Sequence, residues 1–238
     1  MKKQHFYIDG IPTIYWGNPT EKIFILIHGA GSNKEEAELF ANIVKTKGYG
    51  VISFDMPEHG ERINEAKPLR PWNCIEEIVK VYRYAQSISP HISVFATSLG
   101  AYMCLLTFPE IKLERALFLS PILDLQRLIR NLMSAYDITE TQIMEKREIA
   151  TPAGITLYDD YYNYVMAHPI AKWETPTEIL YGEYDNLTEY EIVTGFAERY
   201  GCGLEVMENG EHWFHTEDQL AYFSDWVDKV ITNRCRYH

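Results

Sequence analysis

The sequence predicts an α/β fold: a mostly parallel central sheet with helices on both faces. Short apolar runs alternate along the chain with longer amphipathic stretches, which indicates strands joined by crossover helices. The chain has 238 residues, of which 46% are hydrophobic and 24% charged, so it can bury a sizeable core. We expect one domain over residues 1–238.

The first elements predict a hairpin and then a buried strand. Residues 6–8 and 13–16 flank Asp9-Gly10, a dipeptide typical of tight antiparallel turns. Residues 22–27 are continuously apolar after Lys22 and continue into the segment 28–32, which reads His-Gly-Ala-Gly-Ser. Its two glycines leave backbone amides unshielded, although an ordinary strand-to-helix turn also favours glycine. A phosphate-binding loop is set aside because no Gly-Lys-Ser/Thr follows and the G-x-G-x-x-G spacing is missing.

The next elements predict the first strand–helix alternation. Residues 34–47 form a helix that Gly48 ends, and residues 50–54 form a strand. A second helix starts near Ile75, with Asn73 and Glu76 as its capping box. Its apolar positions at helical spacing indicate a face buried in the core.

The segment 93–101, Ser-Val-Phe-Ala-Thr-Ser-Leu-Gly-Ala, is the most informative part of the chain. An apolar strand ends at a serine, Ser98, with the small residues Ala96 and Gly100 two positions to either side. A nucleophilic serine on a sharp strand-to-helix turn requires such small neighbours because the strand and the helix approach closely. The Leu99 amide then lies at a helix N-terminus and can donate to a developing oxyanion. By itself the pattern also fits a plain turn.

An acid and a histidine follow later in the chain, each just after an apolar strand. Asp185 comes after residues 179–182, and His212 comes after Gly210-Glu211. The order Ser, Asp, His would let a carboxylate fix the imidazole tautomer while the other ring nitrogen takes the serine proton. Asp124 and His215 are the alternatives for these two roles. Either predicted residue alone could be structural, Asp185 as an Asx turn and His212 as a hydrogen-bonded histidine.

With these motifs in place, the chain resembles the α/β-hydrolase family from about Ile23 to the C-terminal helix. The segment 53–62 is similar to the Asp-x-x-x-His-Gly-Glu-Arg segment of small esterases of the prolyl oligopeptidase and dienelactone hydrolase groups. The resemblance implies a catalytic set and an oxyanion hole made of backbone N–H groups: catalytic Ser98, Asp185 and His212, and the amides of Ala30 and Leu99. Ala96 and Thr97 depart from the residues most usual at the elbow.

Between the strand at 116–119 and Pro176 the strand–helix alternation breaks. The resemblance implies that residues 121–176 are a small cap folded over the carboxyl edge of the sheet, where open α/β sheets bind ligands. A tyrosine-rich run lies in this cap. We expect three of its tyrosines, and the tryptophan after His212, to contact substrate, with simple packing as the alternative for each tyrosine. These candidates are Tyr158, Tyr161, Tyr162 and Trp213. His59 and His168 are expected to be loop and cap residues, and Thr216 and Gln219 to cap the last helix.

Composition limits the partners. The formal net charge of −12 and the absence of a dense Lys/Arg patch argue against nucleic acid. No apolar run reaches the ~20 residues of a membrane span, and no signal peptide is evident, so we expect a cytoplasmic protein that does not bind membranes. The cysteines Cys74, Cys104, Cys202 and Cys235 show no paired spacing and are expected to be reduced thiols. No metal-ligand pattern is present, and we expect neither metal nor cofactor.

Together, the motifs and the resemblance predict hydrolysis of small soluble carboxylic esters, with short acyl groups, through an acyl-enzyme intermediate. A serine rather than an aspartate at the elbow argues against the halide-displacing enzymes of this fold. An amidase, peptidase or thioesterase of the same fold stays open as an alternative. A ligand-binding scaffold without catalysis is the alternative from a different class.

Overall fold

The computed structural model describes residues 2–232, which contain ten strands and eight α-helices. The strands are β1 Lys3–Ile8, β2 Ile11–Trp16, β3 Lys22–Ile27, β4 Gly50–Phe54, β5 His91–Thr97, β6 Ala116–Leu119, β7 Glu148–Ala150, β8 Thr156–Tyr158, β9 Thr177–Gly182 and β10 Gly203–Met207. The helices are α1 Glu38–Val44, α2 Pro71–Ile88, α3 Leu99–Thr107, α4 Leu125–Ala135, α5 Glu140–Lys146, α6 Asp159–Ala167, α7 Tyr190–Tyr200 and α8 Glu217–Thr232.

Eight strands form one sheet in the order β1-β2-β4-β3-β5-β6-β9-β10. The pairs β1–β2 and β2–β4 are antiparallel, and every pair from β4 to β10 is parallel. Asp9 and Gly10 both have positive φ, 48° and 84°, as a two-residue hairpin turn requires. The predicted entry hairpin and mostly parallel sheet are confirmed.

Helices cover both faces of the sheet, as predicted. Side chains of α2, α3, α4 and α7 pack on one face with the apolar residues of the central strands. The helices α1 and α8 pack on the other face, around Phe24, Phe40, Phe95 and Trp226. The central strands are therefore buried on both sides, which explains why their sequences are continuously apolar rather than alternating.

Two predicted helix boundaries are wrong. The segment 34–47 is not one helix, because α1 is flanked by short 3-10 helices at Lys34–Ala37 and Lys45–Lys47 before Gly48 closes it at φ 82°. The second helix begins at Pro71 rather than near Ile75, because a proline at the first position is preorganised for the helix and needs no N–H partner there. Asn73 consequently lies inside α2, where its amide donates to the Pro68 carbonyl (2.9 Å) instead of forming a capping box with Glu76.

The segment 121–176 leaves the sheet after β6 and returns at β9. It contains α4, α5, the β7–β8 hairpin and α6. Gln126 of α4 donates to the carbonyl of Val165 in α6 (2.9 Å), and α6 also contacts α2 outside the segment. We call residues 121–176 the cap. The residues described include no helix of the length and apolarity that a bilayer crossing needs.

Candidate active site

Ser98 lies at the sharp turn between β5 and α3. Its backbone has φ 47° and ψ −119°, a region that costs a non-glycine residue about 1–3 kcal/mol and persists only where the surroundings hold it. Those surroundings are the hydrogen bonds from Ser98 N to the Leu119 carbonyl (3.2 Å) and from Ile122 N to the Ser98 carbonyl (3.1 Å). Ala96 is fully buried. A Cβ on Gly100 would come within 2.3 Å of the Ile27 carbonyl oxygen, so the start of α3 lies closely against the end of the neighbouring strand β3.

His212 and Asp185 complete a hydrogen-bonded series with Ser98. The Ser98 hydroxyl lies 2.8 Å from Nε2 of His212, and Nδ1 of His212 lies 2.7 Å from Oδ2 of Asp185. Because a carboxylate only accepts, Nδ1 carries the proton and Nε2 is free to accept from the serine. The Asp185 side chain is fully buried, and its other oxygen accepts from the amides of Leu187 (2.8 Å) and Thr188 (3.0 Å).

The loops that carry the acid and the histidine are bonded to each other. Tyr184 N donates to the Gly210 carbonyl (2.7 Å), and Asn209 N donates to a carboxylate oxygen of Glu183 (2.9 Å). A Cβ on Gly182 would lie 2.5 Å from the Gly210 carbonyl oxygen. The two loops therefore behave as one packed unit, which fixes the position of Asp185 relative to His212.

The alternative residues for these roles lie elsewhere. Asp124 is the N-cap of α4, where its side chain accepts from Arg127 N (2.8 Å). His215 lies beside Trp213, its Nδ1 donating to the Trp213 carbonyl (2.8 Å), and is hydrogen-bonded to neither Asp185 nor Ser98. The structure thus brings Asp185 and His212, rather than Asp124 or His215, to Ser98.

Two amides border Ser98 without an internal acceptor. Within residues 2–232, neither Ala30 N nor Leu99 N donates a hydrogen bond to a backbone or side-chain group. Both residues line the cavity in which Ser98 lies, and a Cβ on Gly29 would meet the Ser98 Cβ at 3.1 Å. Two backbone N–H groups without a protein acceptor thus border the cavity that contains Ser98.

Two histidines hold the loop that carries Ala30. His28 accepts from Met56 N through Nε2 (3.0 Å) and donates to the Gly29 carbonyl through Nδ1 (2.7 Å). His59 accepts from Gly31 N through Nε2 (3.0 Å) and contacts the Pro57 carbonyl through Nδ1 (2.8 Å). Burial is the main cause that lowers the pKa of His28 to about 4, so its ring stays neutral and keeps its acceptor. His59 was expected only as a loop residue, and its contact with Gly31 was missed, although the segment 53–62 had singled it out.

Two cavities meet at Ser98 and His212. One, of about 360 Å³, lies under the cap and is lined mainly by aliphatic side chains of the cap together with Tyr158, Tyr161 and Tyr162. We call it the cap cavity. The other, of about 590 Å³, is lined by residues outside the cap and includes Trp213, whose side chain is 71% exposed. We call it the second cavity. All four residues predicted to contact substrate border one of the two cavities. Tyr162 also packs, with its hydroxyl bonded to Glu140, and His168 ends α6 without lining either cavity.

Among the described residues, one group has its ligand atoms close enough to hold a metal: His5, Glu35 and Glu61, all exposed. The Lys34 ammonium already forms ion pairs with Glu35 (3.2 Å) and Glu61 (2.7 Å). The Lys34 ammonium therefore already neutralises the carboxylates that a metal ion would bind. Cys74, Cys104 and Cys202 are free thiols, and Cys235 lies outside the described residues.

Comparisons with known proteins identify similar structures. No protein-family model and no curated protein sequence matches the chain. Est1E from Butyrivibrio proteoclasticus, solved with bound ferulic acid, superposes with a TM-score of 0.76 at 17% identity over 96% of this chain and 98% of that chain. Mouse alpha/beta hydrolase domain-containing protein 10 gives 0.74 at 17% identity over 98% and 99%. The Pyrococcus furiosus esterase Pf2001 gives 0.65 at 18% identity over 97% and 90%. At these identities, the likeness establishes a shared fold.

Proposed function

The chain has the α/β-hydrolase fold, and we propose that it is a serine hydrolase that cleaves small carboxylic esters through an acyl-enzyme intermediate. The hydrogen-bonded series from Ser98 through His212 to Asp185 carries the proposal. Esterases among the structural neighbours support it.

In the proposed mechanism, Nε2 of His212 takes the Ser98 proton as Oγ attacks the ester carbonyl carbon. The oxyanion that forms accepts from the Ala30 and Leu99 amides. His212 then gives its proton to the departing alkoxide, and the alcohol leaves. A water molecule, deprotonated by His212, attacks the acyl-Ser98 carbonyl and releases the acid. Asp185 holds the imidazole in the required tautomer and balances its charge while it is protonated.

We expect esters to be cleaved faster than amides, because an alkoxide departs more readily than an amine. The two cavities that meet at Ser98 and His212 provide space for the acyl and alcohol parts of a small ester. Amidase and thioesterase activities are the competing outcomes of the same mechanism, and they are included as substrates in the test.

Covalent labelling tests the nucleophile directly. We expect a fluorophosphonate to add one phosphonyl group to the wild-type protein, detected by intact-mass spectrometry, and none to Ser98→Ala. Peptide mapping should place the label on Ser98. Absence of labelling of folded wild-type protein, or equal labelling of Ser98→Ala, would contradict the proposal and favour a binding scaffold.

A hydrolysis panel tests the substrate class. It compares p-nitrophenyl esters, the matched amides and thioesters, and methyl ferulate. Ferulate is included because ferulic acid is bound in Est1E and tyrosines line the cap cavity here. We expect the esters to have the highest kcat/KM after correction for uncatalysed rates. Higher corrected values for amides or thioesters would reassign the reaction.

We also propose a cytoplasmic location, which the three free thiols of the described chain support because disulfides persist in oxidising compartments. Fractionation of the native cells tests this, and recovery in the medium would contradict it.

A further inference from the structure

Arg70 is a buried cation in the wall of the cap cavity that the proposed mechanism does not use. It is the N-cap residue of α2 and is only 8% exposed. It borders the same cavity as Ser98 and His212. A guanidinium stays charged in a protein, so its donors must find acceptors or carry a desolvation cost.

Only part of this guanidinium is satisfied. Nε donates to both oxygens of Asp160 in α6 (3.0 and 2.9 Å), and Nη1 donates weakly to the Leu69 carbonyl (3.3 Å). The guanidinium stacks over the Tyr158 ring, with Cζ 3.9 Å from the centroid. In residues 2–232, Nη2 has no hydrogen-bond partner. Nη2 is not fully buried, so Arg70 has an accessible donor without a protein acceptor, and it lines a cavity whose other walls are mostly aliphatic.

Tyr161 adds a second unused polar group to this wall. Its hydroxyl has no hydrogen-bond partner in the described chain, and it lines the same cavity. Burial raises the pKa of this hydroxyl, and the Arg70 charge opposes that rise. The hydroxyl is thus a neutral donor, and the charge of Arg70 acts on it. We call Arg70 and Tyr161 the polar wall of the cap cavity.

The charges around the polar wall indicate the kind of group that it binds. Asp160 already balances the Arg70 charge, and Glu58 lines the same cavity. A substrate carboxylate would add a buried negative charge beside Glu58, whereas a neutral oxygen would accept from Nη2 or from the tyrosine hydroxyl without adding charge.

We propose that Arg70 and Tyr161 form a specificity subsite that selects esters carrying a neutral oxygen acceptor, an ether, hydroxyl or carbonyl, in the part that enters the cap cavity. This inference rests on the proposed esterase function and names its substrate class. A site built to hydrogen-bond a substrate group discriminates strongly against the analogue that lacks it, because its own donors are then left unpaired.

Two pairs of near-isosteric esters test the subsite. Methyl 3-methoxypropanoate against methyl pentanoate changes one CH₂ to oxygen in the acyl part. The acetates of 2-methoxyethanol and butanol make the same change in the alcohol part. The measured quantity is the ratio of kcat/KM for the oxygen ester to that for the alkyl ester. Comparing this ratio between wild type and variants cancels the intrinsic reactivity of each ester.

We expect Arg70→Met to lower this ratio about tenfold in one of the two pairs, the loss of one charge-assisted hydrogen bond. Tyr161→Phe should lower it in the same pair. Asp160→Asn is the matched control: it removes the ion pair but leaves the Nη2 donors, so the ratio should stay within about twofold of wild type. If Arg70→Met does not fold, Arg70→Lys keeps a cation for Asp160 but removes the Nη2 donors, and the same fall is expected.

Three results would overturn the proposal. The first is an equal ratio in wild type and Arg70→Met for both pairs. The second is an equal fall in Asp160→Asn, which would trace the effect to cap position rather than to the donors. The third is preferred cleavage of monomethyl succinate over methyl 3-methoxypropanoate, which would make the site a carboxylate site.

The proposed function can fail separately. If the wild type cleaves none of the esters, saturation-transfer NMR on the same methoxy esters still tests the subsite. Stronger saturation of the methoxy group with wild type than with Arg70→Met supports the polar wall, and equal saturation contradicts it.

Discussion

Ser98, His212 and Asp185 form a hydrogen-bonded series in which the proposed mechanism gives each member a different role. Ser98→Ala and His212→Ala should each lower kcat for ester hydrolysis at least about a thousandfold, because either change removes the nucleophilic pathway. Steady-state kinetics on a p-nitrophenyl ester measures this. Circular dichroism and thermal melting control for folding, and a folded His212→Ala variant with nearly full activity would remove His212 from the role of base.

The two candidate acids provide a matched comparison. Asp185→Asn should lower kcat substantially, though less than loss of Ser98, because the amide cannot enforce the His212 tautomer. Asp124→Asn should leave kcat within about twofold, since Asn caps a helix about as well as Asp. Both variants are assayed on the same ester. A larger loss in Asp124→Asn at unchanged melting temperature would identify Asp124 as the acid.

The buried His28 should make the free energy of unfolding depend on pH. Its folded pKa of about 4 lies below the ordinary histidine value of 6.5, so the unfolded chain binds the proton more readily. The stability that it contributes is complete above about pH 6.5 and is lost as the pH falls towards 4, by up to about 3 kcal/mol.

Urea unfolding at a series of pH values measures this contribution. His28→Gln should have a shallower acid loss of the free energy of unfolding than wild type. Parallel curves for wild type and His28→Gln would contradict the assignment.

At the scale of elements, the close approach of α3 to β3 predicts different effects of two glycine substitutions. Gly100→Ala places a methyl group against the Ile27 and His28 carbonyls and should cost about 3 kcal/mol or more. Gly195→Ala in α7 meets nothing within 4 Å and should gain about 1 kcal/mol. Urea unfolding of both variants checks the contrast, and a neutral Gly100→Ala would show that the helix can move away.

The sequence predicted elements well where local chemistry decides the structure. The strands with continuous apolar residues and the hairpin at Asp9-Gly10 lie where expected. The prediction of a helix start was wrong where two local signals competed. Asn73 and Glu76 matched a capping box, but the helix begins earlier, at Pro71. The hydrogen bond between His59 and Gly31 joins residues 28 positions apart, and no local pattern encodes such a pairing.

The same limit applies to the candidate site. Ser98, Asp185 and His212 could be located because each lies in the segment after a strand of the sheet, and parallel strands bring their carboxyl ends to one edge of the sheet. Arg70 could not be located in this way, because its position in the cap cavity depends on how α6 packs against α2. Periodicity reports which face of a helix is buried but not which neighbour it meets.

At the scale of the whole molecule, the sizes of the cavities predict acyl-chain preference. The cap cavity, at about 360 Å³, is near the small end of small-molecule sites. We expect kcat/KM for p-nitrophenyl esters to be higher for butyrate than for dodecanoate. The assay is run below the critical micelle concentration of the longer ester, and the opposite order would mean that the long chain lies in the second, larger cavity instead.

The cap begins and ends on neighbouring strands. Leu119 of β6 pairs with Leu180 of β9, and Ser120 N donates to the Leu180 carbonyl (2.9 Å). Because β6 and β9 run parallel, the chain enters the cap at the carboxyl end of β6 and returns at the amino end of β9, where Thr177 pairs with Ala116, so the sheet holds both ends of the cap. Because the entropic cost of closing a loop grows only slowly with its length, insertions or deletions in the cap change that cost little. We therefore expect that a cap of different length or sequence can be grafted between β6 and β9 while the strands that precede Ser98, Asp185 and His212 keep their pairing.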